Sequence, residues 1–137
     1  MHSCFGPALR TLNPLRWIVP LRCHTMKQNI RPQYLHVRLQ ARESLRIIDV
    51  RSPAEFASGH IPGAENIPLG DIQSAIPGVD PQETLVLVCQ GGVRSEAACK
   101  KVRNSHQNLF NLAGGTAAWI AAGLKVEAGL GAPPRLK

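Results

Sequence analysis

The chain has 137 residues, 44% of them apolar and 4% aromatic, enough for one domain with its own core and too few for two of ordinary size. Its formal charge of +7 is unevenly placed: of the 16 Lys and Arg, seven (Arg10, Arg16, Arg22, Lys27, Arg31, Arg38, Arg42) fall in residues 1–42, where there is no acid, and the other nine are matched by all nine Asp and Glu. The region after residue 42 is therefore neutral and carries no nucleic-acid footprint. The four cysteines, Cys4, Cys23, Cys89 and Cys99, show neither CxxC pairing nor Cys/His metal spacing. They are too sparse for a disulfide framework, and a reducing compartment suits them.

In chain order, Pro7, Pro14 and Pro20 interrupt any helix in residues 1–25. The apolar stretch from Leu12 to Leu21 is short, broken by Arg16, and unable to span a bilayer. It lacks the features of a secretory signal. Three readings stand: a disordered basic arm, an organelle-targeting presequence, or a stretch outside the protein if translation begins at Met26. The regular pattern begins at Met26. Residues 26–30 suit a short strand. Pro32 can open a helix with Leu35 and Leu39 on one face, although Leu35, Val37 and Leu39 also alternate like a strand. Leu45 to Val50 reads as a buried strand. Ser52, Pro53 and Glu55 have the spacing of a capping box for a helix over 53–58, closed by Gly59.

Ala64 to Ile67 suits a brief strand, and Gly70 to Ile76 a short helix stopped by Pro77-Gly78. Thr84 to Val88 is the most apolar strand. Val93 to Asn104 suits a helix with Ser95, Ala98, Cys99 and Val102 on its inner face. Asn108 to Leu112 and Thr116 to Ala122 suit a last strand and helix, and the Gly/Pro-rich residues 128–137 a flexible tail. Five strands alternating with helices imply an α/β fold, a parallel sheet covered on both faces, with ligands beyond the carboxyl ends of its strands.

Cys89 falls at such an end. The run Leu85-Val86-Leu87-Val88-Cys89-Gln90-Gly91-Gly92-Val93-Arg94-Ser95 puts one thiol in a tight loop between a buried strand and a helix N-terminus. Inward backbone N–H groups there favour an anion, lower a thiol's pKa and make the sulfur nucleophilic. Gly91 and Gly92 free the loop from Cβ constraints. Gln90 and Val93 supply mainly backbone. Arg94 can hold an incoming oxyanion and favour the thiolate. Ser95 either gives its hydroxyl or simply begins the helix.

Four segments resemble the motifs of rhodanese domains, in the family's order. Ile48-Asp49-Val50-Arg51-Ser52-Pro53-Ala54-Glu55-Phe56 and Gly59-His60-Ile61-Pro62-Gly63-Ala64-Glu65-Asn66-Ile67-Pro68 resemble the first two. Cys89 to Ser95 resembles the catalytic loop, and Leu112 to Trp119 with Gly123-Leu124 the closing segment. The resemblance covers roughly residues 28–126. It implies a rhodanese domain over 26–127 and a sulfurtransferase working through a Cys89 persulfide. The donor would be a small anionic sulfur compound such as thiosulfate, and the acceptor cyanide or a thiol, including a protein thiol. No metal or organic cofactor is required. The resemblance also implies that Asp49 supports the loop, with Arg51 as the candidate partner. His60, within Gly-His-Ile-Pro-Gly, suits a turn better than a general base. Trp119 and Cys99 suit the core.

Two other classes compete. Cysteine-dependent phosphatases and arsenate reductases share the cradled thiolate, but their loops resemble Cys-x5-Arg, whereas Cys89 and Arg94 are separated by four residues, a smaller cradle that favours sulfur over phosphate. The other class is a non-catalytic rhodanese-like module that binds or regulates a partner or carries persulfide; the partner-binding modules commonly lack the cysteine that stands here. The cytoplasm is the expected location, with an organelle matrix as the alternative if residues 1–25 are a presequence.

Overall fold

A computed structural model describes residues 28–106 and 108–131. The arm over 1–25, Met26, Cys4, Cys23 and the tail from residue 132 lie outside the described residues. Five strands form one sheet: β1 (Asn29–Ile30), β2 (Leu45–Asp49), β3 (Glu65–Asn66), β4 (Thr84–Val88) and β5 (Leu109–Leu112). Their order across the sheet is β1-β5-β4-β2-β3, and every pairing is parallel. Helices α1 (Pro32–Gln40), α2 (Pro53–Ser58), α3 (Ile72–Ala75), α4 (Val93–Val102) and α5 (Gly115–Ala121) make the connections. The parallel α/β architecture expected from the strand–helix alternation is what the structure shows.

The pleat sorts the core into two layers. Along β4, Leu85 and Leu87 point to one face with Cys89 beyond them, and join Ile48, Ile72 of α3 and Ala98, Cys99 and Val102 of α4. Val86 and Val88 point to the other, where they meet Leu35 of α1, Phe56 of α2 and Trp119 of α5. Removing each such large side chain from water contributes roughly 1.5–3 kcal/mol, so β4, covered on both faces, anchors the sheet.

Local chemistry sets the helix starts. Pro32 opens α1, which settles the ambiguity of Leu35, Val37 and Leu39 in favour of a helix. In α2 the capping box is complete: the Glu55 N–H donates to Ser52 Oγ at 3.3 Å and the Ser52 N–H to Glu55 Oε1 at 3.2 Å. The inner face of α4 is Ser95, Ala98, Cys99 and Val102, as expected, although the helix ends at Val102 rather than Asn104. Residues 70–76 are less regular than a single helix: 3-10 turns at Leu69–Asp71 and Ile76–Gly78 flank one turn of α-helix. After Glu127 the chain stays close to α2, with the Gly129 N–H donating to the Ala57 carbonyl at 2.8 Å.

The chain leaves β2 toward β3 and leaves β4 toward β5, on opposite sides. The carboxyl ends of β2 and β4, paired at Asp49 and Val88, therefore flank the crevice where doubly wound sheets place their ligands. Farther along β2, buried Arg46 forms a two-point ion pair with Glu65 of β3, at 3.0 and 2.5 Å. Removing one partner strands the other's charge in the core. Glu65→Ala should lose about 3 kcal/mol in urea unfolding, and Arg46→Met with Glu65→Leu should recover most of it.

Candidate active site

The loop after β4 brings together Cys89, Gln90, Gly91, Gly92, Val93, Arg94 and Ser95, and the loop after β2 sets Asp49 and Arg51 beside it. Cys89 is buried, with 1% of its surface exposed. Its sulfur accepts a hydrogen bond from the Gly92 N–H at 3.0 Å and contacts Ser95 Oγ at 3.4 Å. Burial pushes the thiol pKa up. The Ser95 hydroxyl and the backbone N–H groups of Ser95, Gly92 and Gly91 outweigh that effect and bring it below the ordinary thiol value. Cys99 has no such donors, and burial raises it to about 12.

The start of α5 fixes the first two peptides of the loop. The Thr116 N–H donates to the Cys89 carbonyl at 2.8 Å and the Ala117 N–H to the Gln90 carbonyl at 3.0 Å. Both carbonyls are thereby satisfied on the side away from the sulfur. Gly115 permits this approach: its φ is +62°, and a Cβ there would lie 2.4 Å from the Cys89 carbonyl oxygen. Gly92 also needs its glycine, with φ +100°. Gly91 differs from expectation, because its backbone is outside the left-handed region and a Cβ would meet nothing within 4 Å. The steric constraint sits on Gly92 and Gly115 instead.

Asp49 and Arg51, expected as partners, are paired. The Arg51 side chain donates to both Asp49 carboxylate oxygens at 2.8–3.1 Å, to the Gly59 carbonyl at 2.7 Å and to Gln90 Oε1 at 3.1 Å. Arg51 thus ties the end of β2 to the loop after β4. Asn66 reinforces the same corner by donating to the Asp49 and Arg51 carbonyls at 3.0 and 2.9 Å.

Arg94 stands apart. It donates two parallel hydrogen bonds to Glu55 of α2, at 2.8 and 2.9 Å, instead of presenting a free fork to the crevice. The arginine's hydrogen bonds, with the Ser52 cap, hold the Glu55 carboxyl at about 2. Val93, at the loop tip, is 78% exposed.

Sequence reasoning read Glu55 only as a helix cap and missed Asn111 altogether. Asn111 Oδ1 takes the Ser95 hydroxyl at 2.5 Å, and Asn111 Nδ2 donates to Asn29 Oδ1 at 3.2 Å and to the Gly92 carbonyl at 3.4 Å. Its alternation within β5 marked it as buried, but only the adjacency of β5 and β4 puts it beside Ser95. Ser95 has one hydroxyl proton for Asn111 and the sulfur, so ionisation of Cys89 pulls that proton toward Sγ.

His60 stacks on Phe56 at 3.7 Å between ring centres, and its Nδ1 lies 2.9 Å from the Phe56 carbonyl. This buried packing belongs to the turn. Trp119 is core, its Nε1–H donating to the Lys125 carbonyl at 2.7 Å. Among the described residues, no group of three or more His, Cys, Asp or Glu side chains is placed to hold a metal ion, and no helix is long and apolar enough to cross a membrane.

A buried thiol with a lowered pKa, at the carboxyl end of a strand beside the switch point of a parallel sheet, defines a cysteine-centred α/β protein. The Rhodanese-like domain family matches residues 31–122, and the chain belongs to that family. It is 33% identical over 104 residues to a sulfurtransferase of Allochromatium vinosum, covering 75% of this chain and 97% of that one. It is 36% identical over 85 residues to the putative sulfurtransferase YtwF of Bacillus subtilis, covering 62% of this chain and 82% of that one. Among solved structures, a thiosulfate sulfurtransferase of Pseudomonas aeruginosa superposes with a TM-score of 0.70 at 32% identity, over 80% of this chain and 21% of that one.

Two outcomes test the cradle. Ser95→Ala removes the hydroxyl donor to the sulfur, so the midpoint of Cys89 alkylation by iodoacetamide should move to higher pH and the rate at neutral pH should fall several-fold, while Cys99 stays slow throughout. Gly115→Ala should destabilise the fold by about 2–4 kcal/mol in denaturant unfolding and slow Cys89 alkylation, whereas Gly91→Ala should do neither.

Proposed function

We propose that the protein is a sulfurtransferase that carries sulfane sulfur on Cys89. The observation that carries this reading is the sulfur itself: a buried thiol with a lowered pKa, ringed by N–H and O–H donors, at the carboxyl end of β4. With thiosulfate, the Cys89 thiolate attacks the outer sulfur. The sulfur–sulfur bond of the donor breaks, sulfite leaves with its electron pair, and Cys89 holds a persulfide. An acceptor such as cyanide then attacks the terminal sulfur, leaves as thiocyanate, and returns the thiolate. The persulfide anion has the charge and the one-atom size that a ring of amides stabilises.

Each neighbouring residue has a part in that cycle. The N–H groups from Gly91 to Ser95 hold the anionic sulfur. Gln90 and Val93 shape the mouth, Arg94 lies within reach of a charged donor, and the Asp49–Arg51 pair keeps the loop in place through Gln90. A domain over residues 26–127 holds the whole constellation, and the acceptor is cyanide in the assay and a small or protein-borne thiol in the cell. A phosphatase reading is disfavoured by the four-residue spacing from Cys89 to Arg94 and by the engagement of Arg94 with Glu55.

Thiosulfate followed by intact-mass measurement tests the reading. The wild type should gain the mass of one sulfur atom and lose it on addition of cyanide, with thiocyanate released. Cys89→Ser should show neither, and full activity in Cys89→Ser would overturn the mechanism.

A further inference from the structure

The charges around Cys89 cancel in pairs. Arg51 is matched by Asp49 and Arg94 by Glu55, each through two-point hydrogen bonding. Asp49–Arg51 is buried and fixed by further bonds to Gly59 and Gln90. Glu55–Arg94 is open to solvent, with 39% and 40% of the two side chains exposed. Arg94 is the second residue of α4, which starts directly from the Cys89 loop, so whatever neutralises its guanidinium also changes what an incoming anion meets on approach to the sulfur.

We propose that Glu55 is a specificity-determining residue, a carboxylate that occupies the Arg94 fork and lowers the preference of the Cys89 site for doubly charged donors. With Glu55 in place, attraction at the sulfur comes from backbone N–H groups, which recognise one anionic sulfur atom and make no demand for an oxyanion group beside it. A donor with a sulfonate-like head must displace a carboxylate from its two-point seat on Arg94. An alkyl hydropersulfide does not: Cys89 Sγ attacks its outer sulfur, the sulfur–sulfur bond breaks, the alkyl thiolate leaves with the electron pair, and Cys89 carries the –S–SH group. The donor class rests on the sulfurtransferase reading above, whereas the charge effect is a property of the thiol that can be measured without turnover.

The exposure of the pair sets the scale. Such ion pairs are worth about 0–1 kcal/mol, and two-point geometry places this one toward the upper end, so the selectivity held by Glu55 reaches roughly fivefold and shrinks with salt. Glu55→Gln isolates the charge, because a glutamine carbonyl at the same helix position still accepts the Ser52 N–H and keeps the capping box of α2.

The test uses two alkylating reagents of nearly equal shape, iodoacetate (anionic) and iodoacetamide (neutral). In each, the Cys89 thiolate displaces iodide. Rates are followed at the Cys89 peptide, with free cysteine as the reference thiol. The iodoacetate-to-iodoacetamide ratio should rise about fivefold in Glu55→Gln at low salt, fall below the wild-type ratio in Arg94→Ala, and lose most of the rise in the double variant. The gain should diminish at high salt. A Glu55→Gln ratio within twofold of wild type overturns the proposal, and so does an equal rise in the double variant, which would mean that Arg94 is not the group being masked. Thiosulfate KM is measured alongside and should fall in Glu55→Gln in step with the ratio. If the ratio rises but no variant transfers sulfur, the charge role of Glu55 stands and the sulfurtransferase reading falls.

Discussion

Two carbonyl groups decide what the Cys89 loop can do. A peptide turned so that its N–H faces the sulfur has its C=O facing the opposite way, and buried carbonyls left unpaired are costly. The first turn of α5 resolves this by offering its free N–H groups to the Cys89 and Gln90 carbonyls, donors that a helix start cannot use internally. The same contact orients the Cys89–Gln90 and Gln90–Gly91 peptides and docks α5 against the end of β4. Since only a residue without Cβ fits between them, Gly115 couples the closing segment of the domain to the Cys89 loop.

The second support comes from β2. Buried Arg51 is stable because Asp49 neutralises it and the Gly59 and Gln90 oxygens accept from two more of its N–H groups. Such a pair contributes little net stability against an apolar alternative. What it provides here is position: it specifies where the loop after β2 and the loop after β4 meet. A third support reaches in from the sheet edge, from Asn29 on β1 through Asn111 on β5 to Ser95. Three strands that are distant in the chain thus converge on one sulfur.

Features governed by neighbours in the chain were legible in the sequence. These include the apolar run of β4 ending at Cys89, the Ser52–Glu55 capping box, the inner face of α4 and Gly92 within the loop. Features governed by strand order were not. Glu55 and Arg94 lie 39 residues apart and meet only because β2 and β4 are adjacent. The spacing inside Cys89 to Arg94 describes the loop but carries no information about the carboxylate that engages it. Gly115 and Asn111 were hidden for the same reason, since each is explained by an atom of another loop. Gly91 shows the converse: two adjacent glycines suggested one shared cause, and only Gly92 has the backbone conformation that requires it.

The two arginines near the thiol share a residue type and a partner type, yet burial separates their consequences. At Asp49–Arg51 solvent is excluded, every donor position bears on the loop geometry, and loss of either partner leaves a charge without compensation. At Glu55–Arg94 water can replace either partner at small cost, so the pair is exchangeable on the timescale of side-chain motion. A site built this way keeps its geometry rigid and its charge adjustable. The amides hold the sulfur, the buried pair fixes the loop that carries them, and, of the two ion pairs beside the thiol among the described residues, the open one is where an approaching anion can compete.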